Sequence, residues 1–371
     1  MADALARQLL SCGSLEEFRR LCSPLGLYAG RRFMNLELDV VNRCNLRCVM
    51  CFHSLEATRS QRTVYLAPET FAAVAARILP HAHRLTLSLG NEPLLSPHFV
   101  PILRLASSYH VDEVTFFTNG LLLDDRAVDA VIECGVTMVC VSVDAATRTT
   151  YEAIRRDGDF DRLLANMERL VARRRAADRV LPRLRLEFVM MQRNVHELLA
   201  FVELAARLGA DELCFRHVVS FEGLDMEHES LTTVKALSNY WLDRALAAAA
   251  TLGVHVRDHP APFDLGAAPP PGGPGSATQG PFRRRPYCPY PFFHVSMGPN
   301  GEVLPCPHSH GEAPYGHVGP DAPIDTVWLG PRFMELRRRI LEHDPPDMCR
   351  RCPFLGDRHP DVPQLFVTRR N

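Results

Sequence analysis

The sequence predicts an α/β fold, a partial (βα)6 TIM-like barrel followed by a small cysteine-rich module of hairpin and helix. Three observations predict it. Six short apolar runs alternate with helical stretches, the pattern of parallel strands joined by crossover helices. Polar or glycine-bearing segments follow the first four runs in turn, at the end of each strand where a barrel places its reaction centre. A second set of cysteines lies beyond a Pro/Gly-rich stretch near the C-terminus.

The elements follow in chain order. Residues 1–30 read as a helical lead-in, with Ser14-Leu15-Glu16-Glu17 as a helix start. The strand-like runs are Met34–Val41, Arg84–Leu89, Glu113–Phe117, Met138–Val143, Arg183–Met190 and Glu212–Val219. Between them, Pro68–Leu79, Asp124–Cys134, Phe160–Arg175 and Val195–Leu208 have helical spacing. Pro68 suits a first turn and Gly209 a C-terminal stop. The barrel is assigned to 31–225. A helix at about Leu231–Leu252 and the stretch Gly266–Gly280 form a connecting segment over 226–284, and the cysteine-rich module takes 285–371. In that module Pro299-Asn300-Gly301 reads as a hairpin turn, followed by a helix over Arg332–Leu341.

Composition removes several function classes. The formal net charge of −1 argues against a nucleic-acid partner, and the basic residues, nearly all Arg, are spread along the chain. No apolar run is long enough to span a membrane, and residues 1–18 lack a signal-peptide core, so a cytoplasmic location is expected. Twelve cysteines in a reducing compartment point to metal or cluster ligation rather than to disulfides.

Seven cysteines fall into two sets. Cys44, Cys48 and Cys51 stand in a CxxxCxxC spacing just after the first strand. Three thiolates on one loop can hold three corners of a [4Fe–4S] cube and leave the fourth iron open to a small molecule. Cys288, Cys306, Cys349 and Cys352 form a set of four, enough to close a second [4Fe–4S] cube. The same four thiols could form a structural zinc ribbon, and the first trio could bind zinc with a histidine such as His53. Around the first set, Gly90-Asn91-Glu92-Pro93 follows the second strand, Thr118-Asn119-Gly120 the third, and Ser142-Val143-Asp144 closes the fourth. Taken alone, Glu92 would be a surface acid before a proline, Asn119-Gly120 a turn, and Ser142 and Asp144 a helix cap.

With the trio, these segments resemble the radical S-adenosylmethionine (SAM) superfamily, and the C-terminal set resembles its SPASM/twitch extension. The resemblance implies SAM and two [4Fe–4S] clusters as cofactors, reductive cleavage of SAM to a 5′-deoxyadenosyl radical, and hydrogen-atom abstraction from substrate. It assigns SAM contacts to Met50, Gly90, Asn91, Glu92, Ser142, Asp144 and Arg155, with Arg156 as the alternative to Arg155, and Asn119 and Gln192 added by their position at strand ends. Asn91 replaces a glycine of the family pattern, and Met50 replaces an aromatic; a thioether also packs on a ring. The expected partners are a small-molecule substrate and a flavodoxin- or ferredoxin-type electron donor, with no nucleic acid and no membrane.

The expected reaction is oxidation of an alcohol to a ketone on a sugar, aminocyclitol or nucleoside, with the second cluster taking the electron. Epimerisation is the second reading and needs a hydrogen donor, for which Cys214 on the sixth strand is the candidate; a buried structural thiol is the plain alternative there. Peptide maturation is third, because the residues before Cys44 do not read as a leader-binding unit. A non-enzymatic zinc protein is the reading from another class.

Overall fold

The computed structural model describes residues 8, 11–22, 32–88, 90–220, 223–265, 288, 290–307, 309 and 312–350. Six parallel strands form the barrel wall: β1 (Met34–Leu38), β2 (Ala82–Thr86), β3 (Glu113–Thr118), β4 (Met138–Ser142), β5 (Arg183–Met190) and β6 (Glu212–His217). They pair in that order, each parallel to the next. This is the partial barrel that the alternation predicts.

The sheet extends at both edges. β7 (His255–Asp258) pairs parallel with β6, and β8 (His294–Met297) pairs parallel with β1. β9 (Glu302–Leu304) and β10 (Gly316–His317) then continue antiparallel, giving ten strands in one sheet among the described residues. The predicted hairpin is therefore the β8–β9 turn, with Gly301 at φ +84 and a backbone carbonyl, that of Val318, too close for any Cβ. The C-terminal module is hydrogen-bonded to the barrel wall along β1.

The helices cover one face. α1 (Leu15–Cys22) is the lead-in, α2 (Pro68–Ile78) begins at its proline, and α3 (Phe99–Ser107) follows β2. α4 (Asp125–Glu133) and α6 (Phe160–Ala176) start under the side-chain caps Asp124 and Asp159, with the short α5 (Arg148–Ile154), capped by Thr147, between them. α7 (Leu198–Leu208) stops at Gly209 in the left-handed conformation, and α8 (Lys235–Leu252) precedes β7.

Strand alternation decides which side chains meet the helices. Phe116 packs on Phe99 of α3, and Phe188 and Phe215 pack with Phe201 of α7. The alternate residues therefore line the opposite, inner face: Phe117, Arg185, Glu187, Cys214 and Arg216. Arg185 lies over the Phe117 ring and contacts the Cys140 thiol, which holds the inner face together across three strands.

α9 (Pro331–Leu341) anchors the module. Arg337 is fully buried against Trp328 and Phe18, with its guanidinium carbon 4.0 and 4.5 Å from the two ring centroids. It donates to the carbonyls of Pro291 and Trp328, so the lead-in helix, the hairpin entry and α9 share one clasp. No helix among the described residues is long and apolar enough to cross a membrane.

Candidate active site and cluster ligands

The loop after β1 carries Cys44, Cys48 and Cys51. It is stitched to the segment after α5 by a two-residue antiparallel ladder, Arg47 opposite Arg156 and Cys48 opposite Arg155, extended by the bond from Val49 N to Ile154 O. Ladder alternation turns Arg155 inward and leaves Arg156 exposed. Arg155 is buried, with Nη2 2.6 Å from Asp144 Oδ2 and Nη1 3.7 Å from Cys48 Sγ, and its Nε donates to Val143 O.

Asp144 itself sits at φ +66, a conformation that Asp tolerates better than most residues. Its Oδ1 accepts from Val189 N at 2.7 Å, and its carbonyl accepts from Asn194 Nδ2. Both carboxylate oxygens thus face partners within the protein, and Asp144 braces Arg155 under the cluster loop.

Glu92 is the other buried acid. Thr118 Oγ1 donates to Oε1 at 2.8 Å, and Asn119 N donates to Oε2 at 2.7 Å. Burial pushes its carboxyl up to about 7 against those bonds. Asn119 completes the link to the loop: its Nδ2 donates to Asn45 Oδ1 at 2.7 Å and lies 3.8 Å from Cys44 Sγ. The predicted strand-end segments are therefore joined to the thiol loop by direct contacts.

Asp39, at the end of the first apolar run, was not singled out in the sequence and belongs here. Its Oδ2 accepts from Asn91 Nδ2 at 2.6 Å and its Oδ1 from Gly90 N at 3.4 Å, which fixes the loop after β2. At Gly90 an added Cβ would lie 3.2 Å from the Phe52 ring. A side chain here would therefore require the Phe52 ring to give by a few tenths of an ångström. Met50 is buried beside the thiols, and Ser142 is half-buried at the end of β4. Gln192 turns elsewhere: its Nε2 donates to Ser230 O and Thr233 Oγ1.

Burial pushes the Cys44 and Cys48 thiols up to about 11 and 12 and raises Cys51, while Arg155 pulls Cys48 and Cys51 down. Without a metal the trio therefore stays protonated, and loading must release the protons. Among the described residues, no three His, Cys, Asp or Glu side chains converge on a single-ion site. A cube takes one thiolate per iron, so spread thiols fit a cluster better than a mononuclear zinc site.

In the module, burial first raises the Tyr290 and Tyr315 phenols, and Tyr290 lies within electrostatic reach of Cys288 and Cys306, Tyr315 of Cys306 and Cys349. These three thiols share two aromatic neighbours around the hairpin. Cys352 lies outside the described residues. Cys214 is buried on the inner face of β6, where burial and then Glu187 push its thiol up.

The comparisons agree with this geometry. Residues 38–181 match the radical SAM superfamily, and residues 288–353 match the SPASM iron–sulfur cluster-binding domain. Curated relatives include a probable GTP 3′,8-cyclase of Methanocaldococcus jannaschii, 26% identical over 181 residues, and a GTP 3′,8-cyclase of Chlorobaculum tepidum, 32% identical over 144 residues. The alignments cover 49% and 38% of this chain and only 58% and 42% of those relatives. Among solved structures, SuiB of Streptococcus suis bound to S-adenosylmethionine superposes with a TM-score of 0.63 at 13% identity, over 87% of this chain and 72% of that one. Native anSMEcpe with bound AdoMet superposes with a TM-score of 0.58 at 17% identity, over 86% and 87%. These last two are likenesses of fold.

Proposed function

We propose that this chain, a member of the radical SAM superfamily with a C-terminal SPASM domain, oxidises a hydroxyl-bearing carbon of a small polar metabolite of sugar, aminocyclitol or nucleoside type. When bound, SAM on its cluster supplies a carbon radical that removes one hydrogen atom, and the second cluster supplies a one-electron acceptor. Cys44, Cys48 and Cys51 hold the first cluster. Gly90, Asn91, Glu92, Asn119 and Ser142 border the SAM position, with Met50 against it. Cys288, Cys306, Cys349 and Cys352 hold the second cluster.

The remaining need is a base for the hydroxyl proton, and Glu37 meets it. It alternates with Leu36 and Leu38 on β1 and so faces inward with Asp39. Its Oε2 lies 3.4 Å from His294 Nε2, which is 3.1 Å from Ser296 Oγ on β8. Burial and then Asp39 push the Glu37 carboxyl up to about 8, against Arg84. A carboxyl that exchanges its proton near neutrality suits general-base work. The observation that carries the reading is the position of this group. It stands on the seam between the barrel and the module, where β1 pairs with the strand that carries His294, within electrostatic reach of Tyr290. Hydrogen atom, proton and electron thus have separate destinations, and the sum is a two-electron oxidation.

The inner face argues for substrate class. It presents Glu37, Glu113, Glu187, Glu212 and Asp258 against Arg84, Arg183, Arg185 and Arg216, and each of these arginines is ion-paired. With Glu37 holding its proton near neutrality, four acids balance four arginines, and an inner face whose arginines are all paired suits a neutral polyol better than a polyphosphate. Nucleotide cyclisation, as the relatives are named, is the reading those alignments favour. Epimerisation is favoured by Cys214, whose raised thiol keeps the S–H that a hydrogen donor needs. Turnover of the reconstituted enzyme on a panel of aminocyclitols, hexosamines and GTP in deuterated water separates these. Loss of two hydrogens supports oxidation, gain of one deuterium at carbon supports epimerisation, and an isomer of GTP supports cyclisation.

A further inference from the structure

A buried hydroxyl beside the thiol loop stands without an acceptor. Tyr151 lies on α5, one turn before Arg155, and is 0% exposed. Among the described residues its Oη has no hydrogen-bond partner, and it is closed to solvent. A buried tyrosine hydroxyl usually finds a partner, and an orphaned one calls for a redox role or a bound group. The ring itself is well packed. Its centroid lies 5.2 Å from that of Phe160, and a Cβ added at Gly158 would stand 2.7 Å from its Cε1. Phenylalanine would fill the same space, so the oxygen is the part that packing leaves unexplained.

The groups around that oxygen belong to the cluster loop and its brace. Burial is what chiefly raises the Tyr151 phenol, and Arg155, Cys48 and Asp144 then lie within electrostatic reach of it. Asp144 is already taken, by Arg155 Nη2 on Oδ2 and by Val189 N on Oδ1. The carbonyl of Ile154 accepts from Val49 N. Cys48 stands opposite Arg155 in the two-residue ladder that follows α5. Other donors here already approach sulfur: Leu46 N and Asn119 Nδ2 lie 3.4 and 3.8 Å from Cys44 Sγ, and Arg155 Nη1 lies 3.7 Å from Cys48 Sγ. A thiol sulfur is a weak acceptor, whereas a thiolate or sulfide bound to iron carries negative charge and draws a donor strongly.

We propose that Tyr151 donates its hydroxyl hydrogen to a sulfur at the Cys48 corner of the N-terminal cluster, and that this bond raises the reduction potential of that cluster. Reduction adds one negative charge to the cube, and a donor aimed at its sulfur in a dry site favours the charged state. The hydroxyl therefore makes it easier for the cluster to take up the electron that SAM cleavage consumes. The inference rests on membership of the radical SAM superfamily and is independent of the substrate.

The test is a redox titration of the holoenzyme, both clusters loaded, followed by electron paramagnetic resonance. Tyr151→Phe keeps the ring against Phe160 and Gly158 and removes the oxygen alone. For the signal that responds to SAM, the variant should lower the reduction constant at least tenfold, which is about 59 mV for a one-electron couple. The second cluster's midpoint and the iron content should stay at their wild-type values. A change of less than twofold overturns the proposal. Equal shifts in both clusters overturn it as well, because they mark a general change in the fold. An unchanged midpoint with weaker SAM binding in equilibrium dialysis overturns it in favour of a SAM contact. One measurement needs no variant. Wild-type holoenzyme grown on tyrosine with a magnetic oxygen isotope in the phenol should show a coupling to that isotope in electron–nuclear double resonance of the SAM-responsive signal. Its absence overturns the proposal even where Tyr151→Phe fails to take up iron.

Discussion

Replacing Arg155 with Met removes a guanidinium from beneath the cluster loop and keeps its apolar stem. The side chains of Arg155 and Asp144 are 8% and 0% exposed, and the pair is 2.6 Å apart. Deleting one partner of a buried ion pair leaves the other charge uncompensated and costs about 3–5 kcal/mol. Here burial already raises the Asp144 carboxyl even with Arg155 beside it, so the lone acid would take up a proton in the folded state. A raised carboxyl binds more protons folded than unfolded, so the loss grows as pH rises. Arg155→Met should therefore cost more at pH 8 than at pH 5.5. Asp144→Asn/Arg155→Met should recover at least half, because Asn keeps the Oδ1 acceptor for Val189 N. Urea unfolding followed by far-UV circular dichroism measures both. A single variant within about 1 kcal/mol of wild type at pH 8, far below the buried-pair range, or a double variant no better than the single, refutes the reasoning.

Three further outcomes follow from the same structure. Glu37→Gln removes a carboxyl raised from 4.5 to about 8, so the variant should gain stability relative to wild type as pH rises through that window, with a ceiling of about 5 kcal/mol; a thermal-shift difference that stays flat between pH 5 and 8.5 contradicts it. Gly90→Val forces side-chain atoms into the Phe52 ring, and equilibrium dialysis should show SAM binding weakened more than tenfold with the trio still loaded with iron; wild-type affinity would show that the close approach is unimportant. Cys349→Ala should reduce oxidised product far more than 5′-deoxyadenosine, and equal yields of product would remove the acceptor role from the second set.

Much of this architecture was legible because apolar runs report strands directly. The six barrel strands appear where their Val, Leu and Phe content indicates, displaced by a few residues at the ends; the second begins at Ala82 rather than Arg84 and stops at Thr86. β7 was not legible. His255-Val256-Arg257-Asp258 is short and polar, and only its pairing with β6 makes it a strand. The choice between Arg155 and Arg156 also needed structure, because a two-residue ladder sends neighbours to opposite sides. Asp39 and Glu37 left a readable trace, acids alternating with Leu36, Leu38 and Val40, but only the partners Asn91 and His294 show what those acids do. Gln192 stands at a strand end, and that position says nothing of the direction its amide takes toward Ser230.

The central claim is that the N-terminal trio carries a cluster with one iron open to SAM. Anaerobic reconstitution, followed by iron and sulfide analysis and electron paramagnetic resonance of the reduced protein with and without SAM, tests it most directly. About eight irons and matching sulfide per chain are expected, about four in Cys48→Ala, with a reduced-cluster signal that shifts with SAM only when Cys48 is present. Stoichiometric zinc without sulfide, or a signal indifferent to SAM in the wild-type protein, would contradict it.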